Sequence, residues 1–252
     1  MIIDESIKRV TIGNTKIAKI LSGGGILWEK KSLGPGPTEL IAGDMNAGFF
    51  GEVPTEDFIS GQDLVNYALN RRYKAQFSDE PWLKFAYKGK VQFIAKKILL
   101  YNAKYEDLSV NGLIDGSKTI KIQGINYKIR LIKGVADNAN LKNTPLEAES
   151  AHYSEWNQLM LPIHENAPDK WEKPEYVESD LKSWNINYKS KDLGLAFAKT
   201  EGGIGFGAIC QDMVIRGTIN PETLVISRWS ETEIGTALRK MTGWRPVLEI
   251  VD

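Results

Sequence analysis

The sequence predicts an α+β fold of many short strands and two or three short helices, preceded by a small three-stranded β anchor. Three observations predict it. Short runs of alternating apolar and polar residues recur along the chain, bounded by glycine, asparagine or proline turns. Seven tryptophans, nine tyrosines and 23 glycines suit strands and loops rather than a helical bundle. The sequence closes on Val247-Leu248-Glu249-Ile250-Val251-Asp252, a run too apolar to lie free, which is expected to be pinned inside the fold. Trp244 and Arg245 precede it, a large ring and a five-donor cation able to lock the start of that strand.

Residues 1–31 form the expected anchor. Ile7 to Ile12, Lys16 to Leu21 and Ile26 to Lys30 read as three strands separated by Gly13-Asn14-Thr15 and Ser22-Gly23-Gly24-Gly25. Three strands this short need a partner surface. Residues 32–38 carry two Gly-Pro pairs, which remove amide donors and break any periodicity, so they read as a linker. The main domain is expected over residues 39–252. Within it, Gly43 to Val53 reads as a strand punctuated by glycine. Residues 60–69 read as a helix capped by Ser60, and 104–111 as a short helix closed by Gly112. Strands are expected at Trp82 to Tyr87, Val91 to Lys96, Lys118 to Ile122 and Tyr127 to Leu131, with hairpin loops at Lys88-Gly89-Lys90 and Gln123-Gly124-Ile125-Asn126. Residues 152–163 read as a helix with Trp156, Leu159, Met160 and Ile163 on one face and Pro162 at its end. Residues 136–150 and 165–205 read as loops, and strands resume near 206–217, 223–229 and 244–251.

The 252 residues suffice to bury about 70–75% of the unfolded surface without a metal or disulfide staple. Thirty-two basic residues balance 32 acidic ones, which argues against a general nucleic-acid binder and favours self-association into an oligomer. No window approaches the ~18 apolar residues of a membrane span, and residues 1–30 lack a secretory apolar core. Synthesis in the cytosol and no membrane partner are expected.

Motifs for chemistry are weak throughout. His152 and His164 are the only histidines, with Glu155 between them, but the His-Glu-x-x-His spacing of a hydrolytic zinc site is absent. They read as capping or surface residues. Gly202-Gly203-Ile204-Gly205-Phe206-Gly207 is followed by an extended run rather than a helix, so it reads as a loop and not a phosphate cradle. No Gly-x-Ser-x-Gly elbow surrounds Ser154, and Cys210, the lone thiol, reads as a small buried apolar residue. No catalytic residue, metal or cofactor is expected. Trp156 and Trp244 read as core. Trp171, Trp184, Arg228 and Trp229 lie in polar, loop-like sequence and are the candidate ligand-binding residues, offering flat rings and a cation to a sugar or a protein surface.

Several pieces carry a family resemblance in a characteristic order. They are Asn46 to Val53, Trp82 to Lys90, Ile120 to Gly134, Ser154 to Met160, Cys210-Gln211-Asp212, Arg216-Gly217 and the closing Gly243-Trp244-Arg245-Pro246-Val247-Leu248-Glu249. Together they resemble virion-associated phage and prophage proteins with a C-type-lectin-like module, over roughly residues 40–252. The closing piece is similar to the Gly-x-Arg-Pro-Ala-Leu ending of several such modules, which implies a last strand beside the start of the domain. The chain departs from calcium-dependent lectins. It lacks their cysteines, their Glu-Pro-Asn or Gln-Pro-Asp motif and their Trp-Asn-Asp motif, because Gln158 follows Trp156-Asn157 and Ile186 follows Trp184-Asn185. Related sulfatase-modifying oxidases need a cysteine pair, and Cys210 stands alone. The resemblance therefore implies a non-enzymatic virion structural protein on a tail, baseplate or capsid surface. It implies attachment to other virion proteins through residues 1–31 and to a host cell-surface glycan or protein through the main-domain loops. Head decoration or tail adaptation by structural contacts alone, and hydrolysis of a cell-wall glycan, are the alternatives.

Overall fold

A computed structural model describes residues 10–12, 15–17, 19–22, 25–29, 33–69, 73–101, 103–135, 153–163, 207–211, 214–216, 227–228 and 242–251. The chain divides into two compact units between Gly34 and Pro35.

The first unit holds two separate hairpins. β1 (Val10–Ile12) pairs with β2 (Thr15–Ile17), and β3 (Lys19–Ser22) pairs with β4 (Gly25–Glu29), all antiparallel. The expected three-stranded meander is corrected here: the described strands form two separate two-stranded sheets, and β2 and β3 each pair with their own neighbour in sequence.

The second unit is a mixed α+β body built on a seven-stranded antiparallel sheet. Its strands are β5 (Ala42–Gly43), β6 (Ala47–Val53), β7 (Trp82–Tyr87), β8 (Lys90–Ala95), β10 (Asp115–Ile122), β11 (Ile125–Leu131) and β16 (Pro246–Ile250), in the order β10-β11-β16-β8-β7-β6-β5. The hairpins form where the turn chemistry allows. Lys88-Gly89 and Gln123-Gly124 both have positive φ at both central residues, the geometry whose twist matches the flanking strands. Between β5 and β6, Asp44 Oδ1 accepts from the amides of Asn46 and Ala47 and closes a side-chain turn.

A second sheet has five short strands: β9 (Leu100–Tyr101), β12 (Gly207–Ile209), β13 (Val214–Arg216), β14 (Ser227–Arg228) and β15 (Thr242–Trp244), in the order β14-β13-β12-β15-β9. Among the described strands, only β12 and β15 pair in parallel. The expected strand over 244–251 is thus divided by Arg245 between two sheets.

Three α-helices are described. α1 (Gly61–Ala68) starts at Ser60, whose hydroxyl accepts from the Asp63 amide at 3.1 Å and donates to Asp63 Oδ2 at 2.7 Å. α2 (Tyr105–Val110) is followed by Gly112 at φ +68°. α3 (Glu155–Leu159) starts at Ser154, which caps the Asn157 amide at 3.1 Å. It is shorter than the helix expected over 152–163. Pro162 has no amide and its ring would collide with the carbonyl of Gln158, so the helix closes before it. Trp156, Leu159, Met160 and Ile163 are nonetheless buried together in one cluster.

Both faces of the large sheet are covered at its central strands. Alternation along the paired strands places Phe49, Phe85, Ile94 and Val247 on one face, packed with α3 and Ile132. The other face carries Trp82, Phe93 and Tyr127, which converge on Phe58 with ring centroids 4.5–5.6 Å apart. Burying both faces explains why Trp82 to Tyr87 reads as an almost continuous apolar run.

β16 lies inside the sheet, between β11 and β8, with Arg130 opposite Val247 and Ile94 opposite Val247 on the other side. The resemblance places the last strand beside the start of the domain. The register corrects that expectation: β5 and β6, which open the domain, lie beyond β8 and β7. β8 and β11 place Phe93 and Ile129 on either side of Leu248, and inserting β16 between them buries that residue completely. The sheet edge at β5 would have left Leu248 against solvent.

Candidate functional site

A charged cluster is enclosed where β8, β11, β16 and α3 meet. Arg130, Glu249 and Gln92 share the face of the sheet that carries α3, because Glu249 pairs with Gln92 and Arg130 pairs with Val247 two residues earlier on β16. Glu155, the first residue of α3, enters from above and is 1% exposed. Its Oε1 accepts from Arg130 Nη2 at 2.7 Å and from Gln92 Nε2 at 2.7 Å. Its Oε2 accepts from Arg130 Nη1 at 2.9 Å and from the Lys133 amide at 2.9 Å. Arg130 also gives Nη2 to Gln92 Oε1, Nη1 to the Leu131 carbonyl, and Nε to Glu249 Oε2 at 2.9 Å. Lys90 reaches Glu249 Oε1 at 2.8 Å from the solvent side.

Arg130 and Glu155 form a forked, two-bond pair, the strongest geometry available to a carboxylate. Burial alone would lower the Arg130 pKa, but the charges of Glu155 and Glu249 and their hydrogen bonds outweigh it and hold it above its ordinary value. Burial alone would raise the Glu249 carboxyl. The Lys90 hydrogen bond, then the Arg130 charge, outweigh it and hold it below the usual carboxylate range. Four donors occupy the two oxygens of Glu155, so this cluster joins strands to helix and offers no free lone pair to a substrate.

A second buried cation stands where the chain passes from one sheet to the other. Arg245, 1% exposed, donates Nη2 to the Lys96 carbonyl at 3.1 Å, and its guanidinium lies 5.6 Å from the Trp156 ring centre. It ties the β15–β16 crossing to the β8–β9 crossing. Burial pushes it down to about 10, opposed by the neighbouring Cys210, and it stays charged at neutral pH. Trp244 is fully buried, and Cys210 is buried in the same cluster as Trp156. At Gly243 any Cβ would overlap Ile98 Cγ2, so the crossing is closely packed. On the opposite face, burial pushes the Tyr127 phenol up to about 12.

Of the candidate ligand-binding residues, Trp171, Trp184 and Trp229 lie outside the described residues, as do His152 and His164. Arg228 is placed by its backbone in β14, at the edge of the second sheet. The structure places Trp156, Trp244 and Arg245 in the core. Sequence reading missed Arg130, Glu249 and Gln92, which look like outward-facing polar residues of half-buried strands, and weighed Glu155 only as an acid between His152 and His164. The available signal was Glu155, an acid in the first turn of an apolar-faced helix. Among the described residues no group of three His, Cys, Asp or Glu could hold a metal, and no helix is long and apolar enough to cross a membrane. No protein-family model, curated protein or solved structure matches the chain.

Two outcomes follow from the charged cluster. Glu155→Leu leaves the Arg130 guanidinium buried without its forked partner and is expected to lower stability by about 3–5 kcal/mol. The double change Arg130→Met with Glu155→Leu is expected to recover much of that loss, and urea unfolding of the three proteins measures both. Glu249 has a folded pKa below its unfolded one, so its contribution is full above the ordinary carboxylate range and is lost as pH falls through the folded value. Glu249→Gln is expected to flatten the acid side of the stability profile below about pH 5, read from urea midpoints across an acid series.

Proposed function

We propose that this chain is a non-enzymatic bacteriophage virion structural protein whose large unit is a C-type-lectin-like binding module. It attaches to the host surface, with cell-wall carbohydrate as the ligand class, and acts as an oligomer on the particle. Residues 1–31 dock it to other virion proteins.

One observation carries the reading. β11 and β16 are adjacent antiparallel strands, with Leu131 directly opposite Pro246. A two-residue turn would join them. Residues 132–245 are interposed instead. Both ends of that excursion are fastened to the sheet, by Glu155 to Arg130 at the start and by Arg245 to Lys96 at the close. Trp171, Trp184, Arg228 and Trp229 all fall within it. A long segment carried on a rigid frame is where binding residues concentrate. The place of β16 departs from the lectin-like pattern; this interposition and the order of the sequence pieces support the reading. Near-zero net charge and two hairpins too short to stand alone support assembly, and repeated copies on a particle would make a weak sugar contact avid.

Cosedimentation of the full chain with purified peptidoglycan sacculi that retain their wall polysaccharide tests the reading. The intact protein is expected to pellet. Replacing Trp171, Trp184 and Trp229 by alanine is expected to weaken binding by about 2 kcal/mol, roughly thirtyfold, if one of them is an anchor. Protein left in the supernatant at every concentration would remove the wall-binding role. Release of reducing ends from the sacculi would replace it with hydrolysis.

A further inference from the structure

Lys84 is an unusual residue in this body. It sits in the middle of β7, fully buried, on the face that carries Phe58 and α1. Among the described residues no carboxylate pairs with it. Its Nζ donates to the carbonyls of Pro35 at 2.8 Å and Pro37 at 2.6 Å, and lies 5.1 Å from the Phe50 ring and 5.7 Å from the Phe93 ring. Burial pushes the amine down to about 8.

The segment above it is built to need such a donor. Pro35 and Pro37 have no amide hydrogen, so at those positions they cannot add to a sheet by donating to it. Their carbonyls are the groups left to hold, and a cation reaching up from the sheet holds both at once. Gly36, between them, has φ +76°, and a Cβ there would overlap Val53 Cγ2. Pro37 Cγ comes within 3.5 Å of where a Cβ on Gly51 would stand, and Gly51 has φ +123° at the irregularity in the β6–β7 pairing. The strap therefore rests closely on β6 and is tied down to β7, while Gly36 and Pro37 face solvent on the outside.

We propose that Pro35-Gly36-Pro37 is a releasable strap, latched to the large unit by Lys84 and covering that amine from solvent. The strap begins where the two compact units divide. Latching fixes the point from which the connecting chain leaves the large unit, and release frees it. The device is independent of what the large unit binds.

Amine acetylation of the full chain at pH 7.5, followed lysine by lysine by peptide mass spectrometry, tests it. Lys84 is expected to react about 100-fold or more slowly than the exposed Lys121, the protection given by a cover that must open first. Gly36→Val adds a branched side chain at a positive φ against Val53 and is expected to unseat the strap, raising the Lys84 rate by about tenfold or more. Lys118, held to the Ala68 carbonyl at 2.9 Å, should keep its rate and report an intact body. Lys84 reacting as fast as Lys121 in the unaltered chain would overturn the proposal, as would an unchanged Lys84 rate in Gly36→Val. Should Gly36→Val fail to fold, Pro35→Gly with Pro37→Gly keeps both carbonyls but loosens the strap, and is expected to raise the rate severalfold. In Lys84→Met, cleavage by a Glu-specific protease after the exposed Glu39 should accelerate, and an unaltered cleavage rate would show that the amine is not the latch.

Discussion

The forked pair between Arg130 and Glu155 is the interaction on which the rest of the body depends. A guanidinium on the middle of a sheet face is tolerable only when its donors are satisfied. Here they are satisfied by groups from four elements at once: Glu155 of α3, Gln92 of β8, Glu249 of β16 and the carbonyl of Leu131 on its own strand. The net stabilisation from such a cluster is small, because two buried charges lose much of their hydration. Its larger effect is on specificity. A one-residue slip of β16 would send Glu249 to the opposite face, among Phe93 and Tyr127, and strand Arg130 without one of its acids. The same acid that sets the register seats the first turn of α3, so helix placement and strand order are coupled through one guanidinium.

Much of this body was legible in the sequence. The turns at Lys88-Gly89 and Gln123-Gly124, the Ser60 and Ser154 caps, and the 3–4 spacing from Trp156 to Ile163 are local signals, and local chemistry decided them. What failed was non-local. Nothing near Pro246 states that its strand partner is Leu131 rather than a strand opening the domain, because that choice depends on which two apolar strands lie apart enough to admit a third. The two separate hairpins of the first unit were hidden for a related reason: alternation from Lys16 to Leu21 looks continuous, and local pattern does not say which neighbour each half pairs with. Arg130 and Lys84 were invisible as buried residues. A lone cation in an apolar strand has the same appearance whether it points to water or to a partner supplied from far along the chain.

The function-bearing question sits on the same geometry. Adjacent strands that could have been joined by two residues are joined by residues 132–245, and the frame holds both ends of that segment. Sequence reading put its binding candidates, Trp171, Trp184, Arg228 and Trp229, inside the segment for reasons of composition alone. In the structure, Glu155 bonded to Arg130 and Arg245 bonded to the Lys96 carbonyl fasten the two ends of that segment. The strap held by Lys84 has the same logic, a cation rising from an apolar sheet to hold backbone that has no amides of its own to offer.

Native-state hydrogen exchange measures this coupling most directly. If the Arg130 cluster is the keystone, the inter-strand amides of β11 and β16 exchange only through global unfolding, with the same denaturant dependence as those of β7 and β8. If β16 opens locally while β7 and β8 stay protected, the last strand is an added layer rather than the centre of the sheet, and the account is wrong.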